Sequence, residues 1–312
     1  APDASETVDL LDQAYGGARG HVIGITGPPG VGKSTLIAAL IKAFRTANET
    51  VGVIAIDPSS KRSGGALLGD RVRIETDPFD QGVFVRSMAA RDRLGGLAAI
   101  TAAAVVLMRA VFDRVIVETV GVGQSETDIA SVADSIVFCV QPGSGDSLQY
   151  MKAGIAEIPD VAVVTKADLG AVARQTRRDL QSALTTTGSA TRAGSTPRAG
   201  STPRAGSTPR AGREAAEAWA VPVLAIAAND QKDVGALLEV IERHRHHIEG
   251  GPIVTRRQAQ AESWLIGAIT EAYGREGWKI ASHLPAGTGG STNDFPFSRM
   301  RQLRNELAKR LS

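Results

Sequence analysis

The chain has 312 residues and is nearly neutral, with 35 lysine and arginine residues against 33 aspartate and glutamate residues and a net charge of +2. This length can bury the core of one large α/β domain with appendages. The balanced charge argues against a nucleic-acid-binding protein, which needs a strongly basic face. The single cysteine, Cys139, excludes an internal disulfide and a cysteine-rich metal site, and its apolar neighbours predict a core position.

The first 20 residues predict an N-terminal helical segment ahead of a nucleotide-binding domain over residues 21–250. Because this segment is polar and acidic, it lacks the residue order of a signal peptide. Residues 95–112 are rich in alanine but are interrupted by Thr101 and Arg109, so they predict a buried helix and not a membrane span. We therefore expect a cytoplasmic protein that does not associate with membranes.

Short β-branched runs alternate with longer helical patterns, which is typical of an α/β fold with a mainly parallel sheet and helices on both faces. In chain order the predicted strands are residues 21–26, 51–56, 82–85, 114–120, 135–140, 161–165 and 221–226. Ligands of open α/β sheets bind beyond the carboxyl ends of the strands. The loops that follow these runs are therefore where functional residues are expected.

The first strand leads into a phosphate-binding loop (P-loop), G-x-x-x-x-G-K-[ST], and then into an apolar helix, which is the context that supports the motif. The glycines let backbone N–H groups converge on phosphates, the lysine reaches the β- and γ-phosphate oxygens, and the serine binds Mg²⁺. A nucleotide-hydrolysing P-loop protein is the prediction. The predicted phosphate-binding residues are Gly27, Pro28, Pro29, Gly30, Val31, Gly32, Lys33, Ser34 and Thr35.

Carboxylates follow the next strands. Asp57 ends the second strand, Asp70 follows in a Gly-Asp-Arg sequence, and Glu118 ends the run at residues 115–117. Magnesium prefers oxygen ligands in octahedral geometry, so Ser34 and these three acids are the predicted metal ligands. Gly121 lies where a mobile loop would bring its backbone N–H to a γ-phosphate. The predicted catalytic residues, which act by positioning and charge stabilisation, are Lys33, Ser34 and Glu118.

The strand at residues 161–164 leads into Thr165-Lys166-Ala167-Asp168. In [NT]-K-x-D elements the aspartate accepts hydrogen bonds from guanine N1 and the 2-amino group, while the lysine stem stacks on the ring. Adenine lacks the 2-amino donor, so GTP is the predicted substrate. The last strand ends in Ala227-Ala228-Asn229, where a backbone N–H could contact guanine O6.

Two regions lie outside these motifs. Residues 192–212 repeat the hexamer Arg-Ala-Gly-Ser-Thr-Pro, which predicts a flexible surface loop. Residues 251–312 predict a helical C-terminal arm. Its apolar stripe must pack either on the chain's own domain or on another subunit. The stripe comprises Ala261, Trp264, Leu265, Ala268, Ile269 and Tyr273.

Taken in order, the motifs GPPGVGKST, IDPSS, GGALLGDR, ETVGVGQSE and QPGSGD resemble those of the MeaB/ArgK family of GTPases over residues 22–247, apart from the hexamer repeat. The resemblance implies a chaperone of an adenosylcobalamin-dependent acyl-CoA mutase, such as methylmalonyl-CoA mutase. GTP hydrolysis would gate cofactor loading and protect or reactivate the mutase. It also implies that Mg²⁺ binds Ser34, Asp57, Asp70 and Glu118, that residues 145–152 form an additional switch loop, and that the arm from about Arg256 onward dimerises.

Thr165 departs from this pattern, because many relatives carry asparagine there. Gln124 is either the residue that orients the attacking water or a surface residue of the switch. Two other functions stay open. A nickel or zinc metallochaperone would need a histidine cluster, for which residues 244–247 are the best candidate. A small-molecule kinase would need an acceptor pocket and a base.

Overall fold

The computed structural model describes residues 5–58, 74, 76–90, 99–119, 121, 128–143, 158–193, 219–284 and 295–311. The strands in these ranges are β1 His21–Thr26, β2 Val51–Pro58, β3 Val83–Ala90, β4 Arg114–Glu118, β5 Ser135–Val140, β6 Val161–Val164 and β7 Val223–Ala225. The helices are α1 Ser5–Gly17, α2 Lys33–Thr46, α3 Ala99–Val111, α4 Ala171–Ala193, α5 Gln231–Ile248, α6 Gly251–Ser282 and α7 Pro296–Leu311. The hexamer repeat beyond Ala193 lies outside the described residues.

The seven strands form one sheet in the order β3-β2-β4-β1-β5-β6-β7. Every neighbouring pair is parallel, so the predicted α/β fold with a parallel sheet is confirmed. β1 lies at the centre between β4 and β5, and all six of its residues are buried. Its carboxyl end therefore opens onto a crevice flanked by the ends of both neighbours.

Alternating residues of the strands contact helices on opposite faces of the sheet. On one face Ile23 and Ile25 pack with Leu40 of α2 and Leu237 of α5. On the other face Val22 packs with residues of α1, α3, α6 and α7. Because strands buried on both faces must be apolar throughout, β1, β4, β5 and β6 carry the continuous apolar runs that predicted them.

Five of the seven strands, β2, β3, β4, β6 and β7, differ from their predicted bounds, and the largest differences are in β3, β4 and β7. β4 ends at Glu118, two residues earlier than predicted, although Thr119 still donates its N–H to Ile25 O and its hydroxyl lies 2.8 Å from Thr26 Oγ1. β7 begins only after Pro222, which lacks an N–H to donate to a ladder. β3 is longer than predicted, because it pairs with β2 over eight residues, from Val83 to Ala90.

The apolar stripe of the C-terminal arm packs on the chain itself. Trp264 belongs to the cluster that covers α1 and α3, while Leu265 and Ile269 pack with Leu307 of α7. The predicted alanine-rich helix is α3. Among the described helices, none is both long and apolar enough to span a membrane. Dimerisation through residues 251–312 stays a prediction.

Candidate active site

The P-loop joins the centre of the sheet to the start of α2. Its backbone reverses direction through glycines with positive φ: 134° at Gly27, 75° at Gly30 and 102° at Gly32. A Cβ at Gly27 would lie 2.1 Å from Cys139 O on β5, so a larger residue cannot fit there. Cys139 is fully buried, and burial raises the pKa of its thiol to about 12, so it is an inert core residue as predicted.

Lys33 folds its side chain back over this loop. Its Nζ donates to Gly27 O at 2.7 Å and to Pro28 O at 3.1 Å, and the residue is 6% exposed. Gly121, which follows β4 along the chain, packs directly against the P-loop and Lys33. A Cβ added at Gly121 would lie 2.1 Å from Gly27 O and 2.8 Å from Lys33 Nζ. The structure thus brings Lys33, the P-loop and Gly121 into contact at one end of the sheet.

Ser34 and Glu118 meet beside the P-loop. Ser34 Oγ donates to Glu118 Oε1 at 3.0 Å, and Glu118 is buried at the end of β4. Asp57 lies near the carboxyl end of β2, in the strand next to β4. The side chain of Asp57 and the whole of Asp70 lie outside the described part of the chain, as do Gln124 and residues 145–152. A hydroxyl and a carboxylate at adjacent element ends are suitable oxygen ligands for Mg²⁺.

The predicted base-recognition loop follows β6 and contacts the P-loop. Thr165 Oγ1 lies 2.5 Å from Val31 O and 3.0 Å from Val140 O, and it is buried. Lys166 adopts a left-handed backbone conformation, with φ 53° and ψ 44°. This turn directs Lys166 Nζ to Gly30 O at 3.2 Å and to Gln141 Oε1 at 2.9 Å. The loop is therefore tied to the P-loop at two points.

Asp168 lies in the 3₁₀ turn that follows, Ala167–Leu169, and is exposed. Ala167 N donates to Ile226 O at 3.2 Å, which places the residues after β7 beside this turn. A shallow pocket is lined there by Ala167, Asp168, Ala227, Asn229, Asp230, Gln231 and Asp233. The structure thus brings Asp168 together with Ala227 and Asn229, although 59 or more residues separate them along the chain.

The sequence did not predict two residues that contact the loops of this region. Asp233 accepts the Ala227 N–H at 2.8 Å, so that N–H is already engaged and Ala228 or Asn229 must supply any contact to guanine O6. Gln141 holds the Lys166 ammonium from the end of β5. Asp233 lies in the first turn of α5, where an acid is ordinary. Gln141 simply follows a strand, so neither position carried a distinctive signal.

The histidines that a metallochaperone would need are not gathered around a metal site. His244 is buried, with Nδ1 2.6 Å from Ser135 Oγ and Nε2 3.1 Å from Asp160 Oδ1. His246 Nδ1 lies 2.7 Å from Glu242 O, within its own helix. Across the described residues, no group of three or more histidine, cysteine or acidic side chains could hold a metal ion. His244 therefore has a packing role, whereas His246 and His247 are exposed.

The amino-acid sequence of the chain matches a family model and several known proteins. The family model described as "Methylmalonyl Co-A mutase-associated GTPase MeaB" matches residues 2–278. A Pyrococcus abyssi protein whose name assigns it to the GTPases is 41% identical over 244 residues, which cover 78% of this chain and 68% of that protein. The mouse protein "Methylmalonic aciduria type A homolog, mitochondrial" is 32% identical over 253 residues, which cover 80% of this chain and 55% of that protein.

Among solved structures, one titled "Crystal structure of LAO/AO transport system kinase" matches with a TM-score of 0.54 and 22% identity. The match covers 97% of this chain and 86% of that one, and at this identity it shows the fold alone. The two proteins therefore share their fold over nearly the whole of this chain. The family match covers both the P-loop and the predicted base-recognition loop. The chain therefore belongs to the MeaB family of methylmalonyl Co-A mutase-associated GTPases.

Proposed function

We propose that this protein hydrolyses GTP to GDP and phosphate at the P-loop, with Mg²⁺, and that hydrolysis gates cofactor loading and reactivation of an adenosylcobalamin-dependent acyl-CoA mutase. Membership of a family of mutase-associated GTPases supports the proposal. The observation that carries the GTP-binding part is the direct linkage of the base-recognition loop to the phosphate loop, through Thr165 to Val31 and Lys166 to Gly30.

The chain's own residues act on the nucleotide by positioning and by charge. Lys33 lies over the P-loop, where its ammonium would neutralise charge that develops between the β- and γ-phosphates. The N–H groups of the loop and of the start of α2 would bind the phosphate oxygens. Gly121, in contact with Gly27 and Lys33, is suited to present its N–H to a γ-phosphate.

Ser34 and Glu118 would hold the metal. Bound Mg²⁺ would supply charge neutralisation on the bridging and terminal phosphate oxygens. Ser34 Oγ and Glu118 Oε1 are 3.0 Å apart, which matches oxygen donors that share one ligand shell directly or through water. Asp57 and Asp70 complete the proposed set.

Asp168 would select guanine. Its carboxylate is exposed beside Ala227 and Asn229, where a base edge can reach it, and the Lys166 stem crosses toward Gly30. A carboxylate accepts hydrogen bonds only, so it pairs with the N1–H and 2-amino donors of guanine and not with adenine N1.

The test is turnover of GTP and ATP by the purified protein, with and without an adenosylcobalamin-dependent acyl-CoA mutase. Slow GTP-selective hydrolysis that rises when the mutase is added supports the whole proposal. GTP hydrolysis that no such mutase changes would keep the GTPase and reject the chaperone role. ATP hydrolysis at an equal or greater rate would reject Asp168 as the base-recognising residue.

We also propose that residues 251–312 form a homodimer contact. Because the apolar stripe of α6 is covered by α7 and α1, the contact would use the other side of α6, where Ile266 is 36% exposed. Light scattering on the full chain tests this proposal, and Ile266→Asp should shift a dimer to monomers. A monomer before substitution would reject it.

A further inference from the structure

A second cavity lies near the amino end of β1, whereas the P-loop follows its carboxyl end. It is enclosed by α1, the end of α3, the first half of α6 and the start of α7, and its volume is about 520 Å³. Arg109, a lining residue, accepts the N–H of Gly20 just before β1 begins, which places the cavity near the amino end of this strand. The lining residues are Tyr15, Gly16, Ala18, Arg109, Val254, Arg257, Gln258, Ala261, Glu262, Leu265, Phe295, Pro296 and Arg299.

Arg109 is the unusual residue of this cavity. It is 2% exposed, and no carboxylate among the described residues forms an ion pair with it. Its Nε has no hydrogen-bond partner. Its guanidinium lies over the Tyr15 ring, with Cζ 5.6 Å from the centroid. Burial lowers the pKa of Arg109 to about 10, helped by the charge of Arg257, so the group is still a cation at neutral pH.

The other charges of the cavity are paired. Arg257 donates to both carboxylate oxygens of Asp134, at 3.0 and 2.8 Å. Arg299 lies 3.3 Å from Glu262. Arg257 and Arg299 are thus paired with carboxylates, and Arg109 is the lining cation that has no carboxylate within ion-pair distance among the described residues.

The start of α7 does not add a free anion site, because Asp12 already accepts its first N–H groups. The Asp12 carboxylate accepts from Phe297 N at 3.1 Å and from Ser298 N at 3.0 Å. The positive character of the cavity thus comes from arginine side chains and not from a helix end.

A buried cation without a partner is costly, since desolvation of an ion is repaid only by an opposite charge or by hydrogen bonds. Arginine binds carboxylate or phosphate through two parallel N–H donors. Apart from Gln258, the uncharged lining residues are apolar or aromatic, and Tyr15, Leu265 and Phe295 are the largest of them. The cavity is also within the size range of small-molecule sites.

From this arrangement we infer that the cavity is a second ligand site, which binds a small organic anion through its carboxylate or phosphate on Arg109 and Arg299 and packs its apolar body on Tyr15, Leu265 and Phe295. The site is separate from the P-loop and does not rest on the proposed function.

The test uses the full chain saturated with GDP and Mg²⁺, so that the P-loop cannot bind the probes. Isothermal titration calorimetry with benzoate and with phenyl phosphate measures the two anion classes, and benzamide is the neutral control. We expect one site per chain for one or both anions and no saturable binding of benzamide. Equal binding of benzamide, or no saturable binding of either anion, would overturn the inference.

Variants assign the binding to the cavity. Arg109→Met removes the charge and keeps most of the volume, so we expect an unchanged or higher melting temperature and at least about a tenfold loss of anion affinity. Arg299→Gln should weaken binding in the same direction, and its side chain is 39% exposed, so folding is not at risk. Arg310→Gln, which breaks a pair with Glu306 on the same helix, is the matched control.

Unchanged affinity in Arg299→Gln, or the same loss in Arg310→Gln, would reject the site. If Arg109→Met fails to fold, Arg109 is a structural residue, and the Arg299→Gln comparison alone decides whether an anion binds. GTP turnover should be retained in both pocket variants, because neither residue contacts the P-loop. A failure of this inference is therefore distinguishable from a failure of the proposed GTPase function.

Discussion

Thr165 Oγ1 lies 2.5 Å from Val31 O, so the loop that is expected to recognise the base is bonded to the loop that is expected to hold the phosphates. Thr165 is the residue at which the sequence departs from the motif pattern that it otherwise resembles. Its hydroxyl is buried between Val31 O and Val140 O. The two halves of the site are thereby held in one rigid arrangement.

Replacement of Lys33 by alanine should abolish GTP turnover or reduce nucleotide affinity below detection. The ammonium is the positive charge held over the P-loop, through Gly27 O and Pro28 O. Fluorescent GDP titration and phosphate release measure the two effects. Lys42→Ala, on the exposed side of the same helix, is the control and should change neither. Retained GTP hydrolysis in Lys33→Ala would reject the P-loop assignment.

Asp168→Asn should reverse the preference between guanine and xanthine nucleotides. The amide presents a donor where the carboxylate accepts, and xanthine offers a carbonyl oxygen in place of the 2-amino group. Competition between GDP and XDP for a fluorescent nucleotide measures the change. Asp179→Asn, on the exposed face of α4, should leave the preference unchanged. Identical selectivity in Asp168→Asn and the parent protein would refute its role.

Gly121→Ala should lower GTP turnover strongly. The new Cβ would lie 2.1 Å from Gly27 O, and the backbone φ of 83° is unfavourable for alanine. Gly235→Ala is the control, because its Cβ would meet nothing within 4 Å and it lies inside α5. There alanine should add about 0.5–1 kcal/mol of stability and leave turnover unchanged. Normal turnover in Gly121→Ala would show that this contact is not needed.

Trp264→Phe should lower the free energy of unfolding by about 1–3 kcal/mol, because it leaves a buried carbonyl without its donor. Trp264 Nε1 donates to Ser131 O at 2.7 Å, which fastens α6 to the 3₁₀ turn Ile129–Ser131 beside β5. Urea unfolding measures the loss. Trp278→Phe removes an indole from the other half of α6, where it packs against Leu265 and Ile269. A loss as large in Trp278→Phe would mean that ring size, and not the hydrogen bond, is responsible.

The protein should lose stability as the pH falls from 6.5 toward 4, because His21 must stay neutral in the fold. Burial lowers its pKa to about 4, with smaller effects of Asp134, Arg114, Glu242 and His244. The unfolded chain binds a proton at an ordinary pKa near 6.5, so acid favours unfolding in that window. The expected loss is about 2 kcal/mol between pH 7 and pH 5.

Urea unfolding at both pH values tests this window. His21→Gln should reduce the loss, since its amide can still reach Ser135 Oγ, which lies 2.8 Å from His21 Nε2. His246→Gln, on the exposed side of α5, is the control and should keep the parent's pH dependence. Equal pH dependence in the two variants would remove His21 as the cause.

Local sequence patterns predicted most of the fold. The β-branched runs predicted all seven strands, and those of β1, β4, β5 and β6 are mainly apolar because these strands are buried on both faces of the sheet. The glycine spacing and Lys33-Ser34 predicted the P-loop, since only glycine allows the positive φ of that loop. Strand ends were less predictable, because they depend on the neighbouring strand, as the pairing of β3 with β2 as far as Ala90 shows.

The sequence alone determined the parallel α/β class, the P-loop and the family resemblance, because each depends on short motifs whose own residues are close together along the chain; it also predicted the position of the base-recognition loop. Only the tertiary structure decided that Ser34 contacts Glu118, that Thr165 contacts Val31, that the stripe of α6 packs on its own chain and that Arg109 is buried without a counter-ion. Ser34 and Glu118 are 84 positions apart and Thr165 and Val31 are 134 positions apart, and such contacts depend on strand order and crossovers that local periodicity does not encode.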